Sequence, residues 1–411
     1  MLFEIIVNTS RRSGAKTGLV GKWLLASMSV FSLPLQALEI SGNVAAQAQW
    51  FPQQAAFAGQ LDRNLTLSFE PKLRQQWNNG DDEVTLEIFG RADRKDDARN
   101  HADIRELKWL HVGAVDEWRI GIDSVFWGVT ESRHLVDIIN QTDRVEGLDG
   151  EDKLGQPMIH YTRIEDWGVL DLFVLSGFRE PAYHSSKGRL RFALPVDDSQ
   201  TQFESSDGDG HIDFALRYSQ TFGDTDLGLS WFSGTNRDAA FSVGQDSNGQ
   251  PVLIPFYSQI DQFSLDMQSI VEDWIWKLEM IARDSETESY IASTFGFEYT
   301  FYGILDSAID LGTLMEYSWE NREQNAGIFD NDLFTGLRFA FNDVQSSEIL
   351  AGIFYDTRLY SRSFRLEASR RIGDSWKLSV ETQIFSGVNA ADPLNAFAAD
   401  DYLQLELARY F

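Results

Sequence analysis

Leu403-Gln404-Leu405-Glu406-Leu407-Ala408-Arg409-Tyr410-Phe411 alternates apolar and polar residues almost to its last position. A period of two puts the leucines on one face of an extended strand and the polar groups on the other. Chain termini are usually frayed and polar, whereas Tyr410 and Phe411 call for apolar neighbours. The same alternation recurs upstream in short segments, separated in turn by tight polar turns and longer loops, from Ile40 onward. The segments centre on Val44, Phe69, Ile88, Trp109, Ile122, Tyr161, Leu172, Leu216, Leu229, Leu265, Leu278, Phe297, Leu314, Leu337, Ile353, Leu366, Val380 and Leu405.

Such a rhythm predicts an all-β fold, a transmembrane antiparallel β-barrel of about 18 strands, with 16 as the alternative even number. Tight turns fall near Asn79-Gly80, Asp116, Glu165, Gly223, Glu272, Ile304, Asn342 and Gly373. Longer loops, nine in all, alternate with them. Four of the turns share a pattern of two polar residues, at least one acidic, followed by Trp118, Trp167, Trp274 or Trp376. An indole is satisfied where an apolar phase meets water, so these four are expected to form an interfacial girdle at one rim.

The composition is consistent. No stretch reaches the roughly 20 apolar residues of a spanning helix. There is no cysteine, which excludes a disulfide-stapled secreted fold and a lipoprotein anchor. Arg11, Arg12, Lys16 and Lys22 precede the apolar run Trp23 to Leu35, and Leu35-Gln36-Ala37 offers a small residue for cleavage. Residues 1–37 therefore read as a cleaved secretory signal, and residues 38–411 as the barrel. The first 37 residues contribute +3 to a total charge of −28, leaving −31 on the remainder. So acidic a surface excludes nucleic acid as a partner and favours divalent cations, which would bridge it to anionic lipopolysaccharide.

The terminal strand resembles that of Gram-negative outer-membrane β-barrel proteins, porins among them. The resemblance implies a location in the outer membrane, contact with its lipid and lipopolysaccharide, and no cofactor. It also implies that Tyr410 and Phe411 act as the signal read by the β-barrel assembly machinery. Arg409 departs from the pattern, since many members carry an apolar or aromatic residue there. Monomeric and trimeric states both fit.

Alternation also sorts the wall. With Leu65, Leu67 and Phe69 facing lipid, Glu70, Lys72 and Arg74 face the lumen, as do Glu87, Arg91, Arg119 and Asp123. A lumen of about 18 strands is too wide for side chains to fill, and dozens of charges in a dry core would each cost several kcal/mol, so water enters. Acids outnumber bases on this wall, which predicts cation preference.

The third long loop, residues 127–158, is expected to fold inward and narrow the bore, because Leu135, Val136, Ile138 and Ile139 are too apolar for a wet tip. Thr130 is the expected N-cap of a short helix running to Ile139. Glu131, Arg133, Asp137 and Asp143 would then project into the path opposite Arg119 and Asp123. The loop is similar to the constriction loop of porins, and Trp127 to Asp143 also resembles a motif in porin-like proteins, some of them thought to serve export. These readings make the chain a passive diffusion channel for small hydrophilic solutes rather than an enzyme. An export or docking barrel is the first alternative and a barrel hydrolase, with His211 or Ser185 and His184, the second. The acidic run Asp149 to Asp152 lacks EF-hand spacing and predicts no metal site.

Overall fold

Side chains that alternate in polarity need two different surroundings, and a sheet closed on itself supplies an outside and an inside. The computed structural model describes residues 38–322, 327 and 330–411. The expected signal segment, residues 1–37, lies outside them. Twenty-one strands occur among the described residues. The first seven are β1 (Glu39–Trp50), β2 (Arg63–Trp77), β3 (Asp82–Asp93), β4 (His101–Val112), β5 (Asp116–Asp123), β6 (Gln156–Glu165) and β7 (Gly168–Ser176). After β8 (Gln202–Phe203) come β9 (Ile212–Phe222) and β10 (Thr225–Thr235), then β11 (Ala240–Gln245) and β12 (Pro251–Tyr257). The chain continues through β13 (Gln259–Val271), β14 (Trp274–Asp284), β15 (Ser289–Phe301), β16 (Asp310–Glu320) and β17 (Asp332–Ala340). It finishes with β18 (Glu348–Asp356), β19 (Arg362–Ile372), β20 (Trp376–Ser386) and β21 (Tyr402–Tyr410).

Eighteen of these form one antiparallel sheet, and β1 pairs with both β2 and β21, which closes the cylinder. Each of the 18 segment centres read from the sequence falls within one of its strands. β8, β11 and β12 make a separate small sheet within the loops. The described residues contain no α-helix, only short 3-10 turns.

The seam closes at the expected place. The Phe411 N–H donates to the Gly42 carbonyl at 3.1 Å, Gly42 returns the bond at 3.2 Å, and the Phe411 ring stacks on Phe69. The guanidinium of Arg409 lies over the Trp376 ring, 5.6 Å from its centroid, so its aliphatic stem serves in place of an apolar residue. Trp118, Trp167, Trp274 and Trp376 all sit exposed at the tight-turn rim, and Trp109 and Trp276 join them on the outer face.

One irregularity matters for the interior. Between Glu87 and Ile88 of β3 the register with β4 shifts, so that Glu106 and Ile104 are consecutive partners and Arg105 is the extra residue. A bulge of this kind turns two successive side chains to the same face. Both Arg105 and Glu106 therefore point inward, where strict alternation would allow only one.

Candidate constriction site

The segment between β5 and β6, residues 124–155, is drawn inside the cylinder. The expected loop ran to 158, but Gln156 to Met158 already pair in β6. Its neck is fixed by Asn140, whose side-chain amide donates to the Asp123 carbonyl (2.9 Å) and the Leu154 carbonyl (2.8 Å) and accepts from the Val125 N–H (2.9 Å). Gly155 is needed at the exit. A Cβ there would fall 2.3 Å from the Ile104 carbonyl oxygen and 2.5 Å from that of Arg105.

Beyond the neck, Trp127, Leu135, Val136, Ile138 and Ile139 pack with Phe173, Phe232, Ile260, Ile281 and Tyr290 from the walls of β7, β10, β13, β14 and β15. Burying the four aliphatic side chains of this group contributes on the order of 6–12 kcal/mol, gross of ordering costs. The hydrophobic core of this barrel is thus inside it and to one side.

No helix forms over Thr130 to Ile139, contrary to the sequence expectation, and the reason is a competing set of acceptors. Glu279 Oε1 accepts the N–H of Val129 (2.7 Å) and of Thr130 (3.0 Å), while Oε2 accepts that of Val136 (3.2 Å). Glu316 accepts the N–H of Glu131 (2.9 Å) and of Ser132 (2.7 Å), together with the Ser132 hydroxyl (2.6 Å). Thr130 does not cap; its hydroxyl lies between Glu279 and the Arg133 carbonyl. Glu279 is 0% and Glu316 2% exposed. Bonds to a buried carboxylate are stronger than those of an ordinary helical ladder, so the backbone spreads around two anions instead of coiling. Gly128, at φ +145°, brings the chain close enough, since a Cβ there would stand 3.0 Å from Glu279 Oε1.

The four expected filter residues do not face Arg119 and Asp123. Glu131 pairs with Arg338 of β17 (2.6 Å), Arg133 with Glu320 of β16 (2.9 Å), and Asp137 with Lys153 of its own segment (2.9 Å). Asp143 is buried against Arg105 (2.6 Å) and His101 (3.1 Å). Arg119 is held by Glu117 and Asp123 by Lys108, each at 2.6 Å. The pairing depends on which strands the segment crosses, and local sequence does not carry that information.

The other wall residues point inward and are similarly engaged. Lys72 meets Glu87 at 2.6 Å and Glu106 at 3.1 Å, Arg74 meets Glu83 at 2.6 Å, Arg91 meets Glu146 at 2.5 Å, and Glu70 accepts from Asn43 at 3.0 Å. His101, Asp143 and Glu146 bring three metal-ligand atoms within 4.8 Å of one another, but Arg91 and Arg105 already neutralise the two carboxylates. The hydrolase candidates are likewise committed elsewhere. His211 contacts Asp213 at 2.8 Å and His184 contacts Asp96 at 3.1 Å, while Ser185 Oγ accepts the Lys187 N–H.

Two loop carboxylates make docking sensitive to acid. Burial works to raise both, but His184, the Ser185 side chain and the Ala98 N–H bring Asp96 down to about 2. His101 and Arg105 likewise hold Asp143 below the usual carboxylate range. An acid depressed in the folded state contributes stability above its unfolded pKa of about 4 and loses it as pH falls through the folded value. Between pH 4 and pH 2, pepsin should begin to cut loops 94–100 and 124–155 while the barrel strands stay protected, as peptide mapping would read.

Beside the segment lie three cavities, the outer one against the packed wall at Ile260, Ile281 and Tyr290 and the other two against β17 to β20. An outer one of about 840 Å³ includes Arg133, His134, Asp137 and Arg237 in its lining, and an inner one of about 340 Å³ includes Arg338, Glu348, Lys377, Glu381 and Glu406. Between them a slot of about 110 Å³ shares Ser132, His134 and Leu148 with the outer cavity and Glu131, Glu151, Arg365 and Glu367 with the inner one. Of the four expected filter residues only Glu131 lines this slot. Its far wall carries Asp332, Phe334, Phe354 and Phe385, which sequence reading missed. The available signal was aromatic residues at inward register positions, opposite the lipid-facing Leu333, Ile353 and Ile384.

No protein-family model matches the sequence, and no curated protein matches it. Solved structures share its fold. Pseudomonas aeruginosa OccK2 (OpdF), solved in complex with glucuronate, is 12% identical with a TM-score of 0.51, over 91% of this chain and 98% of that one. Pseudomonas aeruginosa OccK8 (OprE) is 10% identical with a TM-score of 0.51, over 91% and 98%. Pseudomonas aeruginosa OccK3 (OpdO) is 8% identical with a TM-score of 0.50, over 91% and 96%. The architecture is that of an outer-membrane β-barrel.

Proposed function

We propose that the protein is a passive, water-filled diffusion channel of a Gram-negative outer membrane, carrying small hydrophilic solutes or ions and preferring cations. The observation that carries this reading is the series of three polar cavities, neighbours sharing lining residues, beside a segment fastened inside the bore. A barrel built as a solid scaffold or a lipid-access enzyme has no use for a polar path from one rim toward the other. The apolar outer face, with residues such as Leu67 at 57% exposure, fits lipid, and the tryptophans at the tight-turn rim fit its boundary with water.

Cation preference follows from the lining beyond the slot. There Glu131, Asp149, Glu151, Glu348, Glu367, Glu381 and Glu406 face only Arg338, Arg365 and Lys377. Several of these are paired, as Arg365 is with Asp149 at 2.6 Å, but the surplus is negative, and a surplus is what a passing ion meets. Planar-bilayer recording of refolded protein in a tenfold KCl gradient tests both parts. Steady ohmic steps with a reversal potential displaced toward that of potassium are expected. A silent barrel removes the channel, and displacement toward that of chloride removes the preference.

A further inference from the structure

Asp332 opens β17 from the loop side and points into the slot, yet it is only 4% exposed, and its Oδ2 accepts no hydrogen bond among the described residues. The charges acting on it are mostly of its own sign. Asp330, Asp356 and Asp392 are all buried nearby, the opposing base Arg133 already donates to Glu320 at 2.9 Å, and Arg365 in the slot is paired with Asp149 at 2.6 Å. Asp330 has Arg358 at 3.1 Å, Asp356 accepts the N–H groups of Arg358 and Leu359, and Asp392 accepts that of Leu394. Of these four, only Asp332 has a fully buried oxygen that accepts no hydrogen bond. A buried carboxylate is costly unless a positive partner satisfies it.

The rest of the slot indicates what kind of partner. Phe334 and Phe354 stand 4.7 Å apart, with Phe385 and Phe397 completing an apolar flank beside the carboxylate. A bare metal ion wants several oxygen ligands, and the described residues bring three ligand groups within reach of one another at His101, Asp143 and Glu146 and not here. An alkylammonium needs one carboxylate to balance its charge, can give its remaining N–H donors to Gln383, Ser363 or water, and gains from ring faces around it. At about 110 Å³ the slot has the room of roughly four waters, enough for a single ring and too little for a chain of them.

We propose that this slot is a recognition site for a small organic amine with a compact apolar body, its ammonium on Asp332 and its body among Phe334, Phe354 and Phe385. This deepens the reading of the protein as a cation-preferring channel and names the class of solute it selects. The amine crosses the narrow point by exchanging its hydration for the carboxylate and the rings. It then leaves toward the acidic inner cavity.

Benzylammonium is the probe, with benzoate as the matched anion, added to single channels in KCl with divalent ions chelated. Benzylammonium should interrupt the current in a concentration-dependent way. Asp332→Asn should raise the half-blocking concentration at least tenfold, Phe354→Ala should shorten each interruption, and benzoate should leave the current unchanged. Heat-modifiable migration on gels confirms that each variant is folded. Calorimetric titration of the detergent-solubilised barrel with benzylammonium reads the same site whether or not the barrel conducts, so loss of the site and loss of the channel are distinguishable. Equal block of wild type and Asp332→Asn, or block by benzoate as strong as by the amine, would overturn the proposal. So would calcium chloride abolishing the titration signal at stoichiometric concentration, since Asp332 would then serve a metal.

Discussion

Replacing Glu279 and Glu316 together by alanine should roughly double the single-channel conductance and make it noisy, because bonds to buried carboxylates contribute about 1.5–3 kcal/mol each. The two acids receive five backbone N–H groups from Val129 to Val136. Without them, water competes for the same amides and the backbone of residues 128–134 loosens, held to the wall through the Glu131–Arg338 and Arg133–Glu320 pairs alone. The neck at Asn140 and the packing of Ile138 and Ile139 remain, so the segment stays inside while its tip loses its place. Glutamine at both positions keeps the volume but turns an NH₂ donor toward a group of donors, and it should behave like alanine rather than wild type. Wild-type conductance in the glutamine pair would show that shape, not charge, holds the tip.

The second large effect is expected from Arg105→Ala. Arg105 donates to Asp143 (2.6 Å) and to the Lys153 carbonyl (2.5 Å), and its guanidinium lies 4.7 Å from the Phe89 ring centroid. Its removal leaves Asp143 in a buried site with only His101 opposite, and breaking a buried ion pair from one side costs about 3–5 kcal/mol. Residues 141–154 should become accessible to protease at neutral pH, and the barrel should lose heat-resistant migration at a lower temperature. Adding Asp143→Leu should restore much of the loss, because the orphaned charge is then gone. Failure of that rescue would mean that Arg105 acts through the bulge itself and not through its partner.

The cylinder was legible because each strand repeats one physical instruction, apolar outward and polar inward, at every second residue. All 18 centres, the order of turns and loops, and the inward direction of residues such as Lys72, Glu87 and Arg91 follow from it. The interior was legible only in part. That Leu135, Val136, Ile138 and Ile139 need cover could be read from their chemistry, but what covers them lies on strands up to about 150 residues away in the chain. The helix expectation failed for the same reason, since Glu279 and Glu316 are anonymous inward acids until the segment is laid across them. Register slip at Arg105 hid another feature, because strict alternation assigns one side chain per step and a bulge assigns two.

The lopsided filling of the cylinder divides it into two jobs. The arc from β6 to β15 is committed to gripping the inserted segment, and changes there propagate into its seating. The arc from β17 to β20 lines the slot and the inner cavity and contributes nothing to that packing, so it behaves as an interchangeable reading head. A nanopore sensor could be retuned by exchanging Ser363, Gln383 or Phe385 one at a time, with the gripping arc left as a fixed chassis.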